Sequence, residues 1–103
     1  MIISHVNVSR FEDPDHIKWA KAVKERDFYE CQICGQSGGY LNSHHKNSYD
    51  IFVKDRFNVD NGVTLCQKHH NMFHSIYGNT TNTKYQFEEF EKMCQKISSI
   101  VVN

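Results

Sequence analysis

The sequence predicts an α+β fold, with a strand, loop, strand and helix in the middle of the chain and one further helix on each side. Apolar residues recur at helical spacing near both ends, whereas the stretch between them carries short β-rich runs punctuated by turn residues. That middle stretch also contains two close pairs of metal-ligand residue types. With 103 residues, 39% hydrophobic and 13% aromatic, the chain has material for one core and not two. A single domain over 1–103 is expected, with its core motif at 28–78 and flanking helices at about 13–26 and 84–101.

Asp13 followed by Pro14 reads as an N-cap and a first helical residue, and Ile17, Ala20 and Val23 then recur on one face up to about Arg26. Trp19 is expected to pack. Phe28 to Cys31 suggests a short strand, Gln36-Ser37-Gly38-Gly39 a turn, Tyr40 to His45 a second strand and Val63 to Leu65 a third. Gln67 to Tyr77 should be helical. Lys46 to Asp60 shows no periodicity, and a loop of that length in a small domain usually serves function. Thr83-Lys84-Tyr85-Gln86 matches a capping box, with Phe87, Phe90, Cys94, Ile97 and Val101 following at helical intervals. Cys94 sits on that stripe as a free thiol behaving like a small hydrophobe. Glu88, Glu89 and Glu91 make this last helix a poor surface for DNA.

Lys plus Arg and Asp plus Glu number 12 each, so no strong overall field draws the molecule onto a polyanion. Any basic face must be local. Lys18, Lys21, Lys24 and Arg26 form one candidate, and Lys46, Lys54, Arg56 and Lys68 near the histidines form another. No stretch approaches a membrane-spanning length, and the amino terminus lacks the basic-then-apolar order of an export signal. A cytoplasmic protein without membrane contact is therefore expected.

Cys31-x2-Cys34 and, 31 residues later, Cys66-x2-His69 supply three thiolates and an imidazole in two tight pairs. This set suits tetrahedral zinc with no open position, an ion that holds structure and does no chemistry. Gly35 allows the first turn to close. Five of the seven histidines, His44, His45, His69, His70 and His74, fall in the central motif. On a helix His70 and His74 share a face and can hold one ion, while His69 points about 100° away toward the other pair. A metal so held needs a base that is not a ligand, and His45 beside His44 is the candidate. On an ideal strand His44 and His45 point to opposite faces, so their meeting at one phosphate requires a bend. His5 and His16 read as surface or satisfied core residues.

Cys31-Gln32-Ile33-Cys34-Gly35, His44-His45, Asn61-Gly62-Val63-Thr64-Leu65-Cys66, His69-His70 and His74 together resemble the HNH endonuclease family over about 28–78. The flanking helices look more weakly like those of small free-standing HNH proteins of bacteriophages and bacteria. The resemblance implies a ββα-metal, or His-Me finger, core in a protein of the bacterial host cytoplasm. It makes His44 the metal ligand that opens the motif and His45 the general base. Asn61 becomes the central asparagine, which in some members binds the metal and in others fixes the loop that orients the base. His70 and His74 complete the metal site. The implied reaction is one-metal hydrolysis of a DNA phosphodiester with Mn²⁺, Mg²⁺, Ni²⁺ or Zn²⁺, and Lys46, Lys54, Arg56 and Lys68 become phosphate contacts. No recognition helix or arm is evident, so low specificity is expected. Site choice then falls to a partner, such as phage packaging machinery or another DNA-processing protein, or to DNA structure, the chain acting as a monomer or weak dimer. A non-catalytic zinc-ribbon module that binds nucleic acid or protein accounts for the Cys3His set alone, and leaves His44, His45, Asn61, His70 and His74 without a purpose.

Overall fold

The computed structural model describes residues 9–101, so the expectation for His5 lies outside the described residues, as does that for the Val101 side chain. The architecture is α+β, with helices α1 (Pro14–Arg26), α2 (Gln67–Tyr77) and α3 (Lys84–Val101) and strands β1 (Leu41–His45) and β2 (Gly62–Cys66). The strands pair antiparallel from Leu41↔Cys66 to His45↔Gly62. Short 3-10 turns at Arg10–Glu12, Val53–Asp55 and Val59–Asn61 complete it. No helix among the described residues is long and apolar enough to cross a membrane.

The sheet lies between α1 on one face and α2 with α3 on the other, an arrangement that follows from the strict alternation of side chains along a strand. Val63 and Leu65 point into the main core with Phe73, Phe87 and Phe90. Gly62 and Thr64 face α1: Thr64 Oγ1 donates to Val23 O at 3.5 Å, and Ser43 Oγ of β1 donates to Ala20 O at 2.7 Å. The Asp27 carboxylate after α1 accepts from the Thr64 N–H at 2.9 Å and pairs with Arg26, whose guanidinium also donates to Val59 O and Gly62 O. Arg26 thus joins α1 to β2, and belongs to no free basic face.

Asp13 caps α1 as expected, its carboxylate accepting from Asp15 N. The buried stripe is turned by one residue, however: His16, Trp19 and Val23 face inward, while Ile17 is 53% exposed. Both phases fit the spacing of the helix, and the large area of Trp19 favours the one that buries it. The strand expected at Phe28 to Cys31 is absent apart from a single bridge between Glu30 and Ser37. Phe28 and Tyr29 take left-handed conformations (φ 57° and 53°), and Tyr29 N closes the end of α1 on Lys24 O. Two β-forming aromatics thus serve as a helix terminus. The capping box of α3 forms reciprocally, Gln86 N to Thr83 Oγ1 and Thr83 N to Gln86 Oε1. The apolar stripe of α3 ends sooner than its periodicity suggests, because Ile97 is 51% exposed and Cys94 only half-buried.

Candidate functional site

The junction between β2 and α2 gathers Cys31, Cys34, Cys66 and His69, whose ligand atoms all lie within 4.8 Å of one another. Cys66 is the N-cap of α2, so a thiolate there meets the positive end of the helix, and its Sγ accepts from His69 N at 3.4 Å. In the first pair Ile33 N donates to Cys31 Sγ at 3.4 Å, and Gly35, at φ 79°, closes the turn with its N–H on Cys31 O. Burial pushes the Cys31 thiol up, but backbone N–H groups at Cys66, Cys34 and Ile33 outweigh it and hold the thiol below its ordinary value. The Cys34 and Cys66 sulfurs stand 3.8 Å apart. Two thiolates on one tetrahedral zinc at ordinary bond lengths stand about 3.8 Å apart as well. These four side chains can hold a metal ion such as zinc.

A second group forms on the other side of α2, where His44, His70 and His74 also offer nitrogens within 4.8 Å of one another. His74 Nδ1 lies 2.7 Å from Gly78 O, a pure acceptor, so Nδ1 carries the hydrogen and Nε2 keeps its lone pair. That Nε2 lies 3.2 Å from His70 Nε2, a separation close to the roughly 3.3 Å of two imidazoles sharing one tetrahedral ion. His44 is 3% exposed, and its Nε2 is buried without a hydrogen-bond partner, which is costly for a polar atom that no ligand engages. Burial, followed by the neighbouring imidazoles, pushes His44 well below its ordinary value and His70 down to about 4, so both rings are neutral, the form that binds metal.

His44 and His45 leave opposite faces of β1 without a bend. His44 packs on Phe73 and Phe87 on the α2 and α3 side, whereas His45 stacks on Trp19 at 3.8 Å and 12° on the α1 side. Both nevertheless line one cleft of about 650 Å³, because it runs along the edge of β1 that no described strand pairs. Their approach to one space therefore comes from a free strand edge instead of the expected distortion. His45 Nε2 lies 2.9 Å from Arg56 O, which assigns the hydrogen to Nε2 and the lone pair to Nδ1. Burial lowers His45 to about 4, leaving it unprotonated at neutral pH.

Asn61 is buried and fully engaged: its amide donates to Asn47 O and Asp55 O while its carbonyl accepts from Asn47 N. Of the two roles that the resemblance left open, these three hydrogen bonds are those of a loop clamp. The clamp holds the 46–60 loop, including the Arg56 carbonyl that orients His45. Arg56 itself is half-buried, its guanidinium over Tyr49 at 4.1 Å and its Nε on Tyr49 O. Lys46 lines a second hollow with Lys84 and Glu88, while its charge still reaches His44. Neither Lys54 nor Lys68 lines the cleft. The cations that do are Arg10, Lys21 and Lys24, of which the charge pattern of α1 indicated the two lysines.

Sequence reasoning missed His16, Trp19, Arg10 and Tyr49 as neighbours of the site. His16 is buried with an unpartnered Nδ1, stacked 5.6 Å from His45, so it is neither a surface residue nor a satisfied one. Burial, then Arg10, lowers its pKa. Trp19 packs as expected, but what it packs on is His45, and its indole N–H anchors to Asn58 O at 2.8 Å. Only the phase of α1 could have revealed either contact. No family model, no curated protein and no solved structure matches the chain.

Proposed function

We propose that the chain is a metal-dependent DNA endonuclease of the HNH type, with β1, the 46–60 loop, β2 and α2 acting as a ββα-metal core. The observation that carries this reading is the meeting of His44, His70 and His74 beside a cleft that His45 also lines, with the Nε2 of His45 engaged on a backbone carbonyl. In the proposed reaction His45 Nδ1 takes a proton from water, which attacks phosphorus in line with the departing 3′ oxygen. Trp19 holds the ring flat from one side and Arg56 O fixes its tautomer, so the base needs no reorientation when substrate arrives.

A divalent ion on His44, His70 and His74, whether Mn²⁺, Mg²⁺, Ni²⁺ or Zn²⁺, would supply positive charge against the phosphate and its leaving oxygen. Zinc on Cys31, Cys34, Cys66 and His69 is assigned a purely structural role, since four protein ligands leave no open position. Arg10, Lys21 and Lys24, which line the cleft, join Lys46, Lys54, Arg56 and Lys68 as candidate phosphate contacts. Few such contacts, and no element among the described residues shaped to read base edges, argue for low specificity.

The test is conversion of supercoiled plasmid by the zinc-loaded chain with Mn²⁺, Mg²⁺ and Ni²⁺, beside His45→Ala of equal zinc content. Loss of the base should slow conversion by about 10²–10⁴-fold. Equal rates for parent and variant, or no hydrolysis by the parent of either the plasmid or a single-stranded DNA circle with any of the ions, would defeat the proposal.

A further inference from the structure

The cleft has features that one-metal hydrolysis alone does not require. Its reacting imidazoles are deep, His44 3% and His45 8% exposed, and its volume of about 650 Å³ suits a body the size of a nucleotide unit. Large rings lie open along the lining: Phe11 is 67% exposed, Tyr40 70% and Tyr29 45%. Arg10 stands with Phe11 at one end of α1, and Lys24 with Tyr29 and Tyr40 toward the other. Asp50 is the one carboxylate on the lining among the described residues, and it accepts from Thr81 N. A further buried polar atom of a lining residue, His16 Nδ1, has no partner among the described residues.

Cations that follow a backbone, interleaved with exposed rings, are the chemistry that holds unpaired nucleotides: phosphates meet the charges and bases stack on the rings. Paired bases already stack on one another and offer no free ring face. We infer that the strand taken by this cleft is single-stranded DNA, lying along α1 with bases on Phe11 and Tyr40 and phosphates on Arg10, Lys21 and Lys24. The identity of the ligand as DNA rests on the nuclease reading; its unpaired state rests on the depth and lining of the cleft.

Fluorescence anisotropy of the full, zinc-loaded chain, with no second divalent ion added, tests this on a labelled oligodeoxynucleotide, its annealed duplex and the RNA strand of the same sequence. The DNA single strand should bind at least about tenfold more tightly than the duplex. Phe11→Ala and Tyr40→Ala should each weaken single-strand binding roughly five- to a hundredfold and leave duplex binding unchanged. Both side chains are exposed, and unchanged zinc content and Trp19 emission verify that the fold persists. Equal or tighter duplex binding, single-strand affinity indifferent to both substitutions, or tighter binding of the RNA overturns the inference. A parallel cleavage assay separates it from the nuclease reading. Single-strand preference without hydrolysis defeats only the nuclease, and duplex hydrolysis without single-strand preference defeats only this inference.

Discussion

Gly62 sets how closely α1 approaches the sheet. A Cβ there would stand 2.3 Å from Val23 Cγ2 and 2.7 Å from Trp19 Cζ2, inside any real contact, and both neighbours are fully packed. Gly62→Ala should therefore destabilise the fold by about 1–3 kcal/mol, read as a lower Tm, and displace Trp19 and with it the ring of His45. The same residue marks how much of the site was legible. The Cys3His pairs and the His70–His74 pair could be read from spacing, because residues three or four apart on a turn or helix must be neighbours whatever the rest of the chain does, whereas His44 joined them only through the family resemblance. The support for His45 could not. Trp19 and Gly62 lie 43 positions apart, and nothing local in either says that one lies against the other.

Among elements, α2 is found with the bounds its pattern predicts, and β1 and β2 within one residue at each end, since capping and alternation are local. The Phe28 to Cys31 strand failed because aromatic content imitates β propensity, while the need to end α1 and begin the Cys31–Cys34 turn prevailed. The 46–60 loop lacks periodicity because its order comes from Asn61 and from the α3 side. Lys84 N donates to Asn47 Oδ1 and Ser48 N to Asn82 O, contacts that no pattern within the loop announces. Asn61→Ala removes three hydrogen bonds, and should cost about 2 kcal/mol by leaving buried partners unmatched. Hydrogen exchange should speed up across 46–60 and leave α2 protected, and, on the proposed function, cleavage should fall at temperatures where the fold persists. Uniform deprotection of the whole chain would instead make Asn61 a general structural residue.

Across the whole molecule, burial keeps several imidazoles neutral. His16, His44, His45 and His70 all have folded pKa values below the ordinary 6.5, with His45 and His70 at about 4. The unfolded chain therefore binds more protons than the folded one over this range. Stability is complete above pH 6.5 and declines as pH falls toward 4. Protonation of the ligands releases metal in the same direction. Thermal unfolding followed from about pH 7 to about pH 5 should show a falling Tm; a flat or rising Tm would contradict the burial of neutral rings.

The proposed function requires two metal centres divided by α2, a closed one of thiolates and His69 and an open one of imidazoles. Metal counting tests it most directly: zinc measured by mass spectrometry after purification, then Mn²⁺ or Ni²⁺ titrated calorimetrically into parent and His70→Ala. One tightly held zinc in both proteins, with a second, weaker and exchangeable divalent ion in the parent that His70→Ala loses, is the result expected. A single site in the parent, or a second site that survives His70→Ala, would contradict it.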